Sequence, residues 1–592
     1  MKYKKLMSVV ALSAVATIGL AACGNKEKGG NSKETATEDI SKFPIKATNK
    51  DKAIKGGTLE VAAVMETQFP GIFSEIFYED NNDNVMMEPS HESLFMSDDN
   101  FEINDKGVAK QELDVDAKKA TITLTKEAKW SDGKPVVAED IMEPYRIVGH
   151  KDYTGIRYGE NFRNIVGMED YHTGKAENIS GIKKIDDKTV EISYVEMNPG
   201  MTQSGEEIWR SAVPAHVFKD IPVKDMVSSD AVRKTPVTFG PYKINKVVRG
   251  ESVEYVPNEY YYGEKPKLDK IVTKVTPSKS IVEGLKSQNY DMVIKMPTDS
   301  YPNYKDVKGY EILGRQELSY SYLGFKMGKI AGDSTIEYNK DAKMANKSLR
   351  QAMAYAVDNK VVADKFYNGL RTDGSTLIPP VFAKFHAKDV KGYKQDMDKA
   401  NKLLDEAGYK KKDGEDFRRD PKGEKLEIKF ASMSGGDTAQ PLAEYYMNQW
   451  KEIGLDVKLT TGRLLDQNAF YDKLQNDDPE IDVYQAAWGT GSNPSPTGLY
   501  GPKAAFNYTR FTSEENTKLL KNIDSNKSFD ADYRLKAFKE WQEYAKEEAF
   551  AIPTLYRNEV RPISERVTGF DWAYDAPTNP WAEIGVTAES RK

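Results

Sequence analysis

The sequence Glu127-Ala-Lys-Trp-Ser-Asp-Gly-Lys-Pro-Val-Val-Ala-Glu-Asp140 carries three signals of local structure within a few residues. An alternating apolar run at residues 120–124 leads into it and predicts a strand. Trp130 follows as a packing residue, Ser131-Asp-Gly133 predicts a turn, and a helix is expected to begin near Asp140. The stretch therefore predicts packing that defines a fold, and we do not expect it to contact a ligand.

The remaining pattern predicts lobes of mixed α/β structure. Two segments have apolar residues at helical spacing, 400–407 and 442–453, and each is followed by a glycine that ends the helix. Asp398 is the predicted N-terminal cap of the first of them. Further strands are expected at residues 58–64, 189–194, 252–256, 425–430 and 481–488. Alternation of such helices and strands is typical of α/β folds.

Length and composition restrict the class of protein. Beyond residue 22 the chain still has about 570 residues, which exceeds what one hydrophobic core serves and predicts two or three lobes. It is 39% apolar and 30% charged, as expected for a globular protein. The net charge of −7, with both signs mixed throughout, argues against a nucleic-acid-binding surface.

The N-terminal residues predict export and a lipid anchor. Three lysines precede a nearly uncharged run at residues 7–22, which predicts a signal peptide over residues 1–22. Leu20-Ala-Ala-Cys23 resembles a bacterial lipobox, which implies that Cys23, the only cysteine, is lipidated and becomes the N-terminus. An ordinary signal peptide with an incidental cysteine remains the alternative. Residues 23–55 would form the lipidated cysteine and a flexible tether, because residues 24–42 are almost devoid of apolar side chains.

Motifs for catalysis and for metal binding are not found. The five histidines are scattered, with none at metal-ligand spacing, and no G-x-S-x-G or phosphate-loop motif occurs. Gly489-Thr-Gly-Ser-Asn-Pro494 has proline where a dinucleotide-binding loop needs its third glycine. Asp80, Asn82 and Asn84 begin like a calcium loop, but Val85 occupies the glycine position, so we expect a solvated acidic loop. The prediction is a protein that is not an enzyme, without cofactor or metal.

The stretch at residues 127–140 resembles the signature of the peptide- and nickel-type extracellular solute-binding proteins of ABC importers, the oligopeptide-binding group in particular. Five further segments resemble that family in the family's order, over nearly the whole chain beyond the signal: residues 239–244, 260–268, 349–358, 398–408 and 552–556.

This resemblance implies an α/β fold of the periplasmic-binding-protein type, with two lobes joined by two crossing segments around a hinged cleft. The first lobe would comprise residues 56–95, 235–325 and 555–592. An extra domain, residues 96–234, would be inserted in it, and residues 326–554 would form the second lobe.

The resemblance also implies which residues line the cleft. From the second lobe these would be Gln485, Ala487, Trp488, Gly489, Gly491 and Asn493, and from the first lobe Glu66, Phe69, Tyr320 and Tyr322. Core packing remains the alternative role for Trp488 and the two tyrosines.

One position departs from the family pattern. In oligopeptide binders of this family an aspartate three positions after the tryptophan often pairs with the peptide ammonium, and the residue here is Gly491. Either another acid takes this role, with Asp482 or Glu66 as distant candidates, or the peptide N-terminus stays in solvent, which we favour.

The expected function is that of a monomeric, lipid-anchored receptor on the extracellular face of the membrane of a Gram-positive bacterium, which passes oligopeptides to an ABC permease. A receptor for a peptide pheromone and a binder of another small solute remain alternatives on the same fold.

Replacing the predicted lipidation site tests the anchor. Without the thiol no lipid can be attached, so Cys23→Ala should be shed into the medium or accumulate as uncleaved precursor. Fractionation of cells followed by immunoblotting measures this. Normal processing of the variant, with membrane binding as tight as in the wild type, would contradict the lipobox interpretation.

Overall fold

A computed structural model describes residues 39–203, 205, 207–332 and 335–591. The predicted signal peptide, Cys23 and the first part of the predicted tether lie outside these residues. Within the described part of the chain, no helix is long and apolar enough to cross a membrane.

The largest element is a mixed sheet of eleven strands that runs through the body of the protein. Its central strands are the most buried: all three residues of Met292–Ile294 are buried, as are twelve of the fourteen residues of Ala551–Ser564. In spatial order the strands are Asp456–Leu459, Glu427–Ala431, Val483–Gly489, Tyr310–Phe325, Ala551–Ser564, Met292–Ile294, Thr58–Val64, Lys270–Thr276, Ser252–Pro257 and Tyr242–Val248, with Arg371–Asp373 also paired to Ala551–Ser564.

Two long antiparallel strands, Tyr310–Phe325 and Ala551–Ser564, cross the middle of this sheet, and we call them the hinge ribbon. Tyr310 pairs with Ser564 at one end of the ribbon and Gly324 pairs with Ala551 at the other. The pairing register shifts between Gln316 and Tyr320, so the ribbon has an irregular centre.

Separate hydrophobic cores lie at the two ends of the ribbon. At one end Leu59, Tyr255 and Leu313 belong to a core built on the strands Thr58–Val64 and Ser252–Pro257. At the other end Phe430 and Trp450 belong to a larger core. Two cores joined by a pair of crossing strands define two lobes.

A third core belongs to a separate four-stranded sheet, which consists of Ala109–Asp114, Lys119–Leu124, Thr189–Ser193 and Ile182–Lys184. The helix Ala138–Gly149 packs on it. This unit occupies the part of the chain predicted as the inserted domain, and we use that name for it.

The signature stretch folds as predicted. Trp130 is buried and its ring meets that of Phe239 edge-on at 5.2 Å. The buried carboxylate of Asp140 accepts hydrogen bonds from Trp130 Nε1 (2.8 Å) and from the backbone nitrogens of Val137 (3.0 Å) and Ala215 (2.9 Å). Asp140 thus ties the turn, the helix start and a distant segment together, which explains why the stretch is a fold signature.

The remaining elements are helices and short strands outside the two sheets. The other α-helices are Asn81–Met87, Glu160–Arg163, Met168–His172, Ala215–Phe218, Val223–Met226, Asp230–Arg233, Ser278–Lys286, Lys347–Tyr355, Asn359–Tyr367, Met397–Glu406, Ala439–Glu452, Gln467–Gln475, Thr497–Tyr500, Glu514–Ile523, Ala531–Glu548 and Pro580–Glu583. Short 3-10 helices are Ile40–Lys42, Pro199–Thr202, Tyr301–Asn303, Lys343–Ala345 and Asn526–Phe529. Two-stranded pairs are Met96–Ser97 with Ile103–Asn104, Gly328–Ile330 with Ile336–Tyr338, and Val567–Thr568 with Gly585–Val586.

Two local predictions were wrong. The helix Met397–Glu406 is capped by Asp396 and not by Asp398: the Asp396 side chain accepts from Lys399 N at 2.9 Å, and Asp398 lies within the first turn. The stretch read as a solvated acidic loop forms the helix Asn81–Met87, because the Asp80 side chain caps it and Val85, Met86 and Met87 are buried.

Tyr320 and Tyr322, which the family resemblance assigned to the first lobe, lie on the half of the hinge ribbon that pairs with Val483–Gly489. Both rings belong to the larger core, together with Phe430 and Trp450. Each crossing strand is continuous, so its residues are shared between the lobes. The division at residues 325 and 554 stays a prediction.

Removing the Asp140 carboxylate should destabilise the inserted domain. Asp140→Ala leaves three buried N–H donors without an acceptor, and each such loss costs about 1–3 kcal/mol, so a loss of about 3 kcal/mol or more is expected. Urea unfolding followed by tryptophan fluorescence measures it. Asp170→Ala, at an exposed position of Met168–His172, is the matched control and should change stability by less than about 0.5 kcal/mol. Equal midpoints for the two variants would contradict this role.

Candidate functional site

The strand Val483–Gly489 lies beside the hinge ribbon, and an aromatic surface begins at its end. The ring centroid of Trp488 lies 5.0 Å from that of Phe506, a residue that is 44% exposed. Phe506 lies 6.2 Å from Tyr508, which lies 6.1 Å from Tyr471. We call these four residues the aromatic wall. Trp488 is half-buried and packs against the larger core, so one part of its ring contributes to core packing and the other part belongs to the aromatic wall.

The other residues predicted on this strand alternate with Trp488 and so point to the opposite face of the sheet. Gln485 is half-buried, and its side-chain oxygen accepts from Ser432 Oγ at 3.3 Å. Ala487 is half-buried and Gly489 is exposed. The strand thus offers a small, polar face behind the aromatic one.

The loop after the strand contacts the inserted domain. Gly491 is exposed, has φ +64°, and has no atom within 4 Å of the position that a Cβ would occupy. Asn493 accepts from Ser495 N at 3.0 Å, and its Nδ2 lies 2.6 Å from the position that a Cβ on Gly200 would occupy. The glycine at 200 therefore allows the inserted domain to approach this loop closely.

Three of the predicted site residues are core residues. Tyr320 is buried and its hydroxyl lies 2.8 Å from that of Tyr500. Tyr322 is buried against Tyr484, with ring centroids 5.8 Å apart. Phe69 is buried in the first-lobe core. Tyr320 and Tyr322 thus have the core-packing role that was the alternative for them, and Phe69, predicted as a cleft residue, is likewise a core residue.

Asp482 and Glu66, the two acids considered as partners for a peptide ammonium group, differ in how far their carboxylates are already paired. Asp482 is buried and accepts from Lys343 Nζ and from Lys429 N, both at 2.8 Å. Glu66 is exposed and accepts from Ser278 N at 3.3 Å. The charge of the Asp482 carboxylate is thus already compensated by Lys343 within the second lobe.

A set of charged residues on the hinge ribbon was missed from the sequence. The register places Arg315 opposite Glu559, with an ion pair of 2.6 Å, and Glu317 lies 3.2 Å from Arg557. Arg561 follows two positions after Glu559 and therefore lies on the same side of its strand. We call these five residues the charged face. The signal was present as charges at every second residue, but it becomes a surface only when segments 244 residues apart are paired.

The charged face is partly exposed at the hinge ribbon, in the region between the two lobes that we call the interlobe space. Its paired side chains keep between 19% and 31% of their surface exposed although their strands are central in the sheet. Arg315 also stacks at 4.4 Å from Trp572 and 4.2 Å from Tyr574. Guanidinium groups stacked on rings are fixed in position, so the face is preorganised.

Two first-lobe residues add charge to this region. Burial raises the pKa of Glu88, and the nearby Arg561 and Arg315 oppose the rise. Burial lowers the pKa of Lys295, and Glu88 opposes that change. Charges of both signs therefore surround the space.

The two lobes and the inserted domain touch around this space. Asn368 Nδ2 donates to the carbonyl oxygens of Thr298 and Asp299, each at 3.2 Å, and Thr438 Oγ1 donates to Asp299 Oδ2 at 3.3 Å. On the other side Arg534 Nη2 donates to Gln203 Oε1 of the inserted domain at 3.1 Å. The two lobes therefore contact each other, and the second lobe also contacts the inserted domain.

The arrangement is suited to binding. Across the described ranges, no three His, Cys, Asp or Glu side chains are grouped to hold a metal ion. Aromatic rings, paired charges and strand ends can hold a ligand with both apolar and polar groups.

Comparison with known proteins agrees with this geometry. The family model described as "Bacterial extracellular solute-binding proteins, family 5 Middle" matches residues 106–509. The chain belongs to this family.

Relatives of family 5 extend the match to the full length. The chain is 37% identical over 598 residues to the oligopeptide-binding protein OppA of Lactococcus lactis subsp. lactis. The alignment covers 99% of this chain and 98% of that protein. A solved structure of lactococcal OppA, complexed with an endogenous peptide in the closed conformation, has a TM-score of 0.82 and 37% identity, covering 90% of this chain and 100% of that one.

The fold extends to more distant structures. AppA of Bacillus subtilis in complex with a nonapeptide has a TM-score of 0.73 at 18% identity, covering 91% of this chain and 100% of that one. These matches confirm the predicted fold class, an α/β binding protein of two lobes with an extra domain.

Proposed function

We propose that this protein captures oligopeptides in the space between its lobes and delivers them to the permease of an ABC importer. The observation that carries the proposal is the full-length similarity to lactococcal OppA, at 37% identity and with a TM-score of 0.82 to a peptide-bound structure. The protein would act as a binding protein and not as an enzyme.

The geometry supports a peptide as ligand. An extended peptide offers one hydrogen-bond donor and one acceptor per residue in its main chain. The backbone of a strand such as Val483–Gly489 can form hydrogen bonds with these groups whatever the side chains of the peptide are. The aromatic wall can provide apolar contact and the charged face can provide polar contact. Trp488, Gln485, Ala487, Gly489, Gly491, Asn493 and Glu66 are the proposed contacts among the residues first identified from the sequence.

Delivery to a permease requires the protein to stay at the membrane. In the proposal Cys23 carries the lipid, the protein is a monomer, and the extracellular face of the membrane is its location. Pro44 lies against the hinge ribbon, where its carbonyl oxygen accepts a hydrogen bond from Gly314 N at 3.0 Å.

Native mass spectrometry of the purified protein tests the ligand class. A site that holds peptides mainly by their main chain should retain a mixture, so a set of bound masses matching short peptides is expected. Denaturing the same sample provides the control, because it should release all of them. A single defined mass would favour a pheromone or another small solute. A protein that carries no peptide and binds none when peptides are added would contradict the proposal.

The peptide N-terminus is proposed to stay in solvent. The position of the family's aspartate is Gly491, with no side chain, and Asp482 is occupied by Lys343. Acetylating the N-terminus of an octapeptide should therefore leave its affinity nearly unchanged in calorimetry. A hundredfold weakening, about 2.7 kcal/mol at roughly 1.4 kcal/mol per decade, would reveal a charged anchor for the ammonium group.

A further inference from the structure

Two arginines face each other on neighbouring strands at the centre of the protein. The strand Arg371–Asp373 pairs with Ala551–Ser564, and the register sets Arg371 directly opposite Arg557. Directly opposed residues point to the same side of a sheet with their Cβ atoms about 5 Å apart, and like charges in this position are destabilising. The arrangement therefore needs a compensating anion.

The protein supplies only part of this compensation. Arg557 Nε lies 3.2 Å from Glu317 Oε2 but is not aligned for a hydrogen bond. The Arg371 guanidinium lies 3.6 Å from the centre of the Tyr367 ring, and in the described part of the chain no carboxylate lies within 4 Å of it. The Nε atoms of both arginines are buried without a hydrogen-bond acceptor in the described structure. One carboxylate thus serves two guanidinium groups.

The directions in which the pKa values of Arg371 and Glu317 are shifted agree with an excess of positive charge around this arginine pair. Burial lowers the pKa of Arg371, and the neighbouring Arg557 acts in the same direction. Burial alone would raise the pKa of Glu317, but Arg557 and Arg371 lower it below its usual value. Glu317 also accepts from Ser319 Oγ at 2.8 Å, so its oxygens are shared further.

The pair lies at the hinge ribbon, close to the contact between the lobes. Arg557 belongs to the charged face and keeps 31% of its side chain exposed, so a ligand can reach it. It also acts electrostatically on Tyr471 of the aromatic wall. Asp299, at the contact between the lobes, acts on Arg371 in the same way. The two guanidinium groups are therefore close enough to act on residues of both lobes.

We propose that Arg371 and Arg557 together bind a carboxylate of the peptide, so that the site favours ligands carrying an acidic side chain or a free C-terminus at this position. Guanidinium groups match carboxylates in two-pronged geometry, and such a ligand would provide the second anion that the pair lacks. The inference rests on the proposed function, since it assigns the chemistry of one part of the same site.

Calorimetry with three octapeptides tests the proposal on the purified protein. The parent peptide has glutamine at its third and sixth positions and an amidated C-terminus. The second peptide has glutamate at both positions, and the third keeps the glutamines but has a free C-terminus. At least one carboxylate-bearing peptide should bind the wild type about tenfold more tightly than the parent, and which one does so identifies the source of the carboxylate.

Substitution of Arg371 should remove that preference. Arg371→Gln should bind all three peptides within about twofold of one another, because the carboxylate contact is lost. Arg371→Lys keeps the charge and should retain part of the preference. Arg419→Gln, at a half-buried arginine of the second lobe paired with Glu415, is the matched control and should behave as the wild type.

The outcomes separate this inference from the proposed function. Equal binding of the three peptides by the wild type, or a preference that persists in Arg371→Gln, would overturn the assignment of the arginine pair. A melting temperature of Arg371→Gln well below the wild type, together with equal weakening of all three peptides, would assign Arg371 a purely structural role and also overturn it. If the wild type bound none of the peptides, the proposed function would fail, and this inference with it.

Discussion

The backbone hydrogen bonds between Tyr310–Phe325 and Ala551–Ser564 are the interaction on which the two lobes depend, because both lobes are built onto this one pair of strands. The first lobe joins the pair through Met292–Ile294 and the second through Val483–Gly489. The register shifts between Gln316 and Tyr320, next to Ser319, where pairing with Val483–Gly489 begins. An irregularity of this kind bends and twists a strand, so the relative orientation of the lobes depends on a few residues at the centre of the ribbon.

The same strands carry charge through the centre of the protein. Arg315 with Glu559 and Arg557 with Glu317 form ion pairs that would be costly in a dry core, where desolvation exceeds the Coulomb attraction unless hydrogen bonds are complete. Their partial exposure shows that this is not a dry core. Partly exposed charges and aromatic rings together accept ligands of varied side chains when the main chain carries most of the affinity.

Much of the fold could be predicted because its signals are local. The strand at residues 58–64 was predicted with its observed bounds, and the helices before Gly408 and Gly454 follow from apolar spacing and a glycine with positive φ. Trp130 and its turn were likewise recognisable. The cap at Asp396 was missed because Asp398, two residues later, satisfies the same pattern. Trp488 was found by its resemblance to a family, whereas the charged face and the arginine pair needed the register between segments far apart in the sequence, which no local pattern supplies.

The connectivity of the sheet also determines an order of synthesis and folding. The chain is synthesised from its N-terminus. In the sequence, the second lobe lies between the two crossing strands. The first-lobe strand Met292–Ile294 pairs on one side with Thr58–Val64, which is made early, and on the other with Ala551–Ser564, which is made nearly last. Its second edge therefore stays open during almost all of export, while the second lobe gains most of its own strands in sequence. Unpaired edges of this kind are where newly made chains associate wrongly, so the last crossing strand completes the sheet and also ends the interval in which the protein is most exposed to misfolding.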